Sequence, residues 1–297
     1  MLTVSAPQVG QSIRLPDGRR LGYGEFGDPA GTPVVFFHGW GDSRLTRHPD
    51  DARTAALGVR LITVDRPGTG ISDFQPGRTL LDWPADVAAL ADALGLRRFA
   101  VFGHSGAGPH TLACAYKMPD RLTAVGVVCG VAPFDRPAAT AGRRKDMQQF
   151  IPLLRRMPWL TTLFLSSLPR EYRRDPDKAF EKQFGHDLPA SDLQMLARPE
   201  IRANVLAGAV ESLRPGARGM AHEARLLFAR PWGFQPADIQ AEVWLWYGGA
   251  DVIVPPQQGE YLARAIPHSH LTIYPEEGHM VHITHWAEIL QTLATAN

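Results

Sequence analysis

A largely parallel α/β sheet, flanked by helices and interrupted by a helical insertion, is the fold this sequence predicts, and three observations predict it. Four apolar runs, Pro33 to Phe37, Arg60 to Val64, Arg98 to Phe102 and Ala124 to Cys129, alternate with helical or irregular stretches. That alternation is expected of buried parallel strands covered on both faces. After Cys129 the rhythm stops for about a hundred residues before Glu242 to Tyr247 offers another strand, and a structureless loop of that length is uncommon inside a compact domain. Finally, Gly103-His104-Ser105-Gly106-Ala107 stands where the Arg98 strand must turn sharply into a helix.

The elements follow in order. Ser12 to Leu15 and Arg20 to Tyr23 flank the turn signal Pro16-Asp17-Gly18, which predicts a hairpin. Trp83, Val87, Leu90 and Leu94 fall at offsets of 0, 4, 7 and 11, one face of a helix. Pro109 to Tyr116 reads as the helix after the sharp turn. The core is expected over residues 1–132 and 238–297, with a helical cap over 133–237. Within the cap, Met147, Phe150, Ile151 and Leu154, and again Met220, Ala224, Leu227 and Phe228, keep helical spacing. Prolines at 152, 158, 169, 176, 189 and 199 predict helices that are short or kinked. Arg143, Arg144, Arg155, Arg156, Arg173 and Arg174 are read as solvated helix faces rather than as receptors for an anion. The last strand is Leu271 to Tyr274, and Trp286, Ile289, Leu290 and Leu293 carry the closing helix.

Composition sets permissive bounds. A chain of 297 residues buries roughly three quarters of the surface its unfolded form exposes, enough for one large domain with an insertion. A net charge of +1 points to no nucleic-acid partner. Cys114 and Cys129 fall in a helix and at a strand end, and read as small buried hydrophobes rather than a disulfide. The N-terminus has no basic segment followed by an apolar stretch, and no run is long enough to span a bilayer. A cytoplasmic protein acting on a small molecule, with no membrane partner, is the expectation.

Ser105 is the candidate nucleophile. On a strained turn between strand and helix the flanking positions must be small; Gly103 meets the demand, and Ala107 stands where a second glycine is usual, with Gly108 next to it. A serine hydroxyl needs a base to take its proton. His279, directly after the last strand in Pro275-Glu276-Glu277-Gly278-His279, is the preferred one among the 11 histidines. His104 adjoins Ser105 but points elsewhere around so tight a turn. His282 and His285 continue at intervals of three, not the spacing of a zinc helix, so no metal is implied. Asp251, in Gly248-Gly249-Ala250-Asp251 after the Glu242 strand, is assigned to orient the imidazole, with Asp135 as the rival position. The order Ser105, Asp251, His279 is the one this arrangement requires. The backbone N–H groups of Trp40, in His38-Gly39-Trp40-Gly41, and of Gly106 are the candidate oxyanion donors.

On these residues, together with Asp65-Arg66-Pro67-Gly68-Thr69-Gly70-Ile71-Ser72-Asp73, the chain resembles the α/β-hydrolase family along nearly its whole length. The resemblance implies an eight-stranded, mostly parallel sheet under a helical lid, no cofactor, and hydrolysis through an acyl-enzyme. It implies a structural role for the Asp65 to Asp73 loop. Members that act as dehalogenases or epoxide hydrolases carry an aspartate where this chain has Ser105, and proline iminopeptidases carry His-Gly-Gly-Pro-Gly where it has His38-Gly39-Trp40-Gly41-Asp42. Carboxylester hydrolysis leads; carbon–carbon bond hydrolysis by the same triad, or ligand binding without turnover, are the alternatives. Candidate pocket residues are His38, Trp40, His104, Trp159, Phe164 and Trp232, with Phe234 a further aromatic whose direction the sequence leaves open.

Overall fold

The computed structural model of the chain describes residues 7–134, 156–184 and 187–296. Its strands are β1 (Gln8–Arg14), β2 (Arg20–Gly27), β3 (Thr32–Phe37), β4 (Val59–Val64), β5 (Phe99–His104), β6 (Leu122–Val128), β7 (Val243–Gly248) and β8 (Ser269–Tyr274). They form one eight-stranded sheet in the order β1-β2-β4-β3-β5-β6-β7-β8. β2 runs antiparallel to β1 and β4, and every other pairing is parallel.

Burial explains why these runs lack polar alternation. All six residues of β5 are buried, because helices cover both faces of the central sheet. The edge strand β8 alternates instead. Register then sets where the loops emerge. Phe37 pairs with Val64 and with Gly103, His104 with Val128, and Val128 with Trp246. The carboxyl ends of five strands therefore lie level, and the segments beginning at His38, Asp65, Ser105, Cys129 and Gly249 open on one edge.

In the core, α1 (Asp51–Ala56), α2 (Trp83–Ala93) and α3 (Gly108–Lys117) precede the insertion. Asp50 caps α1 by accepting from Arg53 N at 3.1 Å. The stripe expected on α2 buries Trp83, Val87 and Leu90, while Leu94 follows the last helical residue and is half-buried.

Between β6 and β7 the described chain is helical: α4 (Pro158–Leu165), α5 (Leu168–Arg174), α6 (Pro176–Phe184), α7 (Ala190–Leu196), α8 (Pro199–Ser212) and α9 (Arg218–Phe228). The prolines begin these helices. Pro158, Pro176 and Pro199 are first residues, Pro169 is a second and Pro189 precedes α7, positions where a missing N–H costs no helical bond. Arg156, Arg173 and Arg174 are exposed. The Met147 to Leu154 pattern, Pro152, Arg143, Arg144, Arg155 and Asp135 lie outside the described residues.

The insertion meets the core in two ways. Tyr172, Phe180, Leu196, Ile201 and Val205 form a cluster that takes in Met280 and Ile283 from the core. α9 joins the main core through Ala224, Leu227 and Phe228. At its start the backbones touch: a methyl group on Gly219 would lie 2.0 Å from the carbonyl oxygen of Gly68, in the loop after β4.

The chain closes with α10 (Gln257–Ala265), α11 (Val281–Thr284) and α12 (Trp286–Thr295). Trp286, Ile289, Leu290 and Leu293 are fully buried, and burying each such side chain contributes about 1.5–3 kcal/mol. Cys114 and Cys129 are free and buried. Among the described residues, no helix is long and apolar enough to cross a membrane.

Candidate active site

Ser105 leaves β5 with φ 56, one of few non-glycine residues in the left-handed region. That conformation costs a side-chain-bearing residue about 1–2 kcal/mol and persists because its surroundings leave no alternative. A methyl on Gly103 would meet Thr111 Oγ1 at 2.2 Å. The second demand for glycine falls on Gly108, where a methyl would meet Gly130 Cα at 2.9 Å; Ala107 is accommodated, fully buried in the core. Val131 N donates to Ser105 O at 3.1 Å and ties the turn to the end of β6.

His279 follows β8, and its Nδ1 lies 2.7 Å from Asp251 Oδ2. The other carboxylate oxygen of Asp251 accepts from Ile253 N at 2.8 Å and Val254 N at 2.9 Å. With Asp251 accepting, Nδ1 carries the hydrogen, and Nε2 is left as the basic nitrogen. Burial works against protonation of His279, but Asp251, and then Asp192 and Asp42, outweigh it and raise its pKa above the ordinary value of 6.5.

Two further imidazoles adjoin it. His104 Nε2 donates to His279 O at 3.0 Å, and its ring stacks on His282 with centroids 3.7 Å apart. Burial pushes both pKa values down, that of His282 to about 3, so both rings are neutral.

The loop after β3 is held from below. Arg66 Nη1 donates to His38 O, Arg66 Nη2 to Gly39 O at 3.0 Å, and His38 Nδ1 to the same Gly39 carbonyl at 2.8 Å. In a trans peptide the N–H points opposite to the C=O. With the Gly39 carbonyl pinned toward Arg66, the Trp40 N–H points the opposite way. The Trp40 segment and the Ser105 turn are close, for a methyl on Gly106 would lie 3.1 Å from Trp40 N. Burial, followed by the Arg66 charge, pushes the His38 pKa down to about 3, which keeps its Nε2 free to accept from Arg66 N at 3.3 Å.

A cavity of about 430 Å³ lies over this edge, lined by Ser105, His279, Trp40, Gly106 and His104, with Phe164, Leu168, Phe180 and Phe228 among its apolar walls. Trp40 Nε1 donates to Met220 O at 2.9 Å, fixing the indole against α9. Asp42 also faces the cavity; Thr46 Oγ1 donates to its Oδ1 at 3.0 Å, and burial pushes its pKa up to about 6.

Three expected pocket residues lie elsewhere. His38 is 1 % exposed and supports the loop from beneath. Trp232 packs on Phe234 within the main core, centroids 5.5 Å apart. Trp159 is 58 % exposed; at about 100° per residue it stands well round the helix from Phe164, which lines the cavity.

Asp42, Arg66, Glu223 and Asp192 were not singled out as site residues from the sequence. Arg66 Nε donates to Glu223 of α9, and Asp192 of α7 accepts from the backbone of His279 and Met280. Asp42 sits in the Trp40 segment and Arg66 in the loop after β4, where their places in those loops were a signal; Glu223 and Asp192 come from the insertion, whose docking the sequence does not display. Among the described residues, Cys129, Asp251 and His279 are the three side chains of metal-ligand type within 4.8 Å of one another, and two of these already bond each other.

A profile of the alpha/beta hydrolase family matches residues 34–292. The chain belongs to the alpha/beta hydrolase family. This alpha/beta hydrolase is 38% identical over 125 residues to a non-heme chloroperoxidase of Streptomyces lividans, a match covering 41% of the chain and 45% of that relative, so it spans under half of the relative's length. It is 28% identical to 2-hydroxy-6-oxononadienedioate/2-hydroxy-6-oxononatrienedioate hydrolase 2 of Pseudomonas putida, over 96% of this chain and 94% of that one. It is 26% identical to a pimeloyl-[acyl-carrier protein] methyl ester esterase of Neisseria meningitidis serogroup B, over 85% and 87%.

Proposed function

We propose that this alpha/beta hydrolase is a serine hydrolase that cleaves carboxylic esters of small to medium apolar substrates through an acyl-enzyme. The observation that carries the reading is the Nδ1 to Oδ2 bond of 2.7 Å between His279 and Asp251, in a cavity that also exposes Ser105.

In the first half-reaction His279 Nε2 takes the Ser105 hydroxyl proton as Oγ bonds to the ester carbonyl carbon. Charge gathers on the carbonyl oxygen, where the N–H groups of Trp40 and Gly106 stabilise it; losing one such donor costs about 3 kcal/mol. The tetrahedral species then expels the alcohol, which receives the proton from His279. In the second half-reaction a water molecule gives its proton to His279, its oxygen bonds to the acyl carbon, and Ser105 leaves and regains a proton. Asp251 holds the imidazole and supports the imidazolium formed in each half.

The methyl ester esterase relative supports an ester substrate, and the apolar cavity wall supports an apolar one. The breadth of the match to the 2-hydroxy-6-oxononadienedioate hydrolase favours carbon–carbon bond hydrolysis by the same triad as the second reading. Turnover of p-nitrophenyl esters of increasing acyl length tests the first. We expect the wild type to hydrolyse short esters and Ser105→Ala to lose several orders of magnitude in kcat. No turnover by the wild type removes the ester reading; equal turnover by both proteins removes Ser105 as nucleophile.

A further inference from the structure

His279 is held at three points by three separate segments. Its ring is held at Nδ1 by Asp251, after β7. Its carbonyl accepts from His104, at the end of β5. Its own N–H donates to Asp192 Oδ2 at 2.8 Å, and the next N–H, that of Met280, donates to Asp192 Oδ1 at 3.0 Å. Asp192 belongs to α7 of the insertion, so one of the three anchors is not part of the sheet domain.

The carboxylate is a poor choice for stability alone. It is 1 % exposed, and burial raises its pKa in spite of both amide bonds. The apolar cluster of Leu196, Val205 and Met220 against Met280 and Ile283 already docks the insertion. What a carboxylate adds is a pair of acceptors spaced for two consecutive amides; an asparagine side chain offers one acceptor and turns an NH₂ group against the other N–H.

We propose that Asp192 is a positioning residue that clamps the His279 loop from the insertion, so that the base stands ready beside Ser105 only while the insertion is docked. The clamp rests on the triad reading above. Among the described residues, the titratable groups facing His279 are Asp251, Asp192, Asp42, His104, His282 and Cys129. The two imidazoles are neutral and burial keeps the Cys129 thiol protonated, so the carboxylates alone favour the imidazolium. Removing the Asp192 charge therefore lowers the pH at which His279 becomes a competent base, while withdrawing the clamp slows the reaction at every pH.

The test is the rate at which a fluorophosphonate probe labels Ser105, followed against pH, in wild type, Asp192→Asn, Asp192→Ala and Asp192→Glu, with melting temperatures taken in parallel. A second readout, independent of any substrate, is the downfield proton resonance of His279 Nδ1–H. Losing a charge-assisted bond to each amide predicts labelling slower by about ten- to a hundredfold in the Asn variant. Its half-maximal pH falls, its downfield proton is weakened, and Glu restores part of the rate. The Asn variant keeps the side-chain shape, so it serves even where Ala does not fold. Rates, pH midpoint and proton resonance unchanged in a folded Asn variant overturn the clamp, whatever its melting temperature. If the wild type is not labelled, or Ser105→Ala is labelled equally, the serine-hydrolase reading fails, and the His279 resonance still decides the clamp.

Discussion

Arg66 and Glu223 pair out of reach of solvent, Nη2 donating to Oε2 at 3.1 Å, although 157 residues of chain separate them. Their side chains are 0 % and 2 % exposed. Arg66 holds the Gly39 carbonyl, and Glu223 holds Arg66 from α9, so the insertion reaches the Trp40 segment, the proposed oxyanion side, as well as the His279 loop.

Glu223→Gln should destabilise the fold more than a surface substitution does. Arg78 also bonds Glu223, at 3.2 Å, so the substitution leaves two buried guanidinium groups without a countercharge, a loss of about 3–5 kcal/mol. A second consequence concerns acid. Burial opposes ionisation of Glu223, but Arg66 and then Arg78 outweigh it and hold its pKa well below the ordinary 4.5. A depressed carboxylate contributes stability that is present above its unfolded pKa and lost as pH falls toward the folded one. Urea unfolding at stepped pH should show the wild type losing stability below pH 4.5 more steeply than Glu223→Gln. Parallel curves would refute the assignment.

Under the proposed mechanism the acid limb of the rate profile should have its midpoint above 6.5, because there only neutral His279 can take the Ser105 proton and its pKa is raised above that value. Asp42 contributes to the rise. Asp42→Asn should therefore move the midpoint of kcat/KM to lower pH, read directly from ester hydrolysis in overlapping buffers. A midpoint that moves upward or stays would show that Asp42 does not act on the base.

Backbone strain at the turn should be visible as stability. Ser105→Ala and Ser105→Gly both remove the hydroxyl, yet at φ 56 only glycine escapes the clash of Cβ with the backbone. We expect Ser105→Gly to be the more stable of the two by about 1 kcal/mol, measured by denaturant titration. A less stable glycine variant would mean that the turn is not strained.

Much of the sheet was legible, and so was the meeting of Asp251 and His279 at its edge, because each rests on local signals. Pro33 to Phe37 and Arg98 to Phe102 are apolar without alternation, and the residues expected to react follow strand ends directly. The start of β1 was not legible: Gln8, Val9 and Gly10 are exposed, so no apolar pattern marks them. Asp192, Arg66 and Glu223 escaped because their partners are 87 and 157 residues away, and no periodicity encodes how an insertion docks. Trp159 and Trp232 misled for the converse reason, since an indole fills a core or lies on a surface as readily as it lines a cavity.

The contact of Gly219 with Gly68 constrains what can be rebuilt. With 2.0 Å between a would-be methyl and a carbonyl oxygen, no side chain fits at the joint, and no rotamer change relieves the overlap. A chimera that borrows the insertion of another hydrolase will seat on this sheet only if the graft brings its own glycine at the start of its last helix. The insertion is thus exchangeable as a module only through a joint two backbones thick.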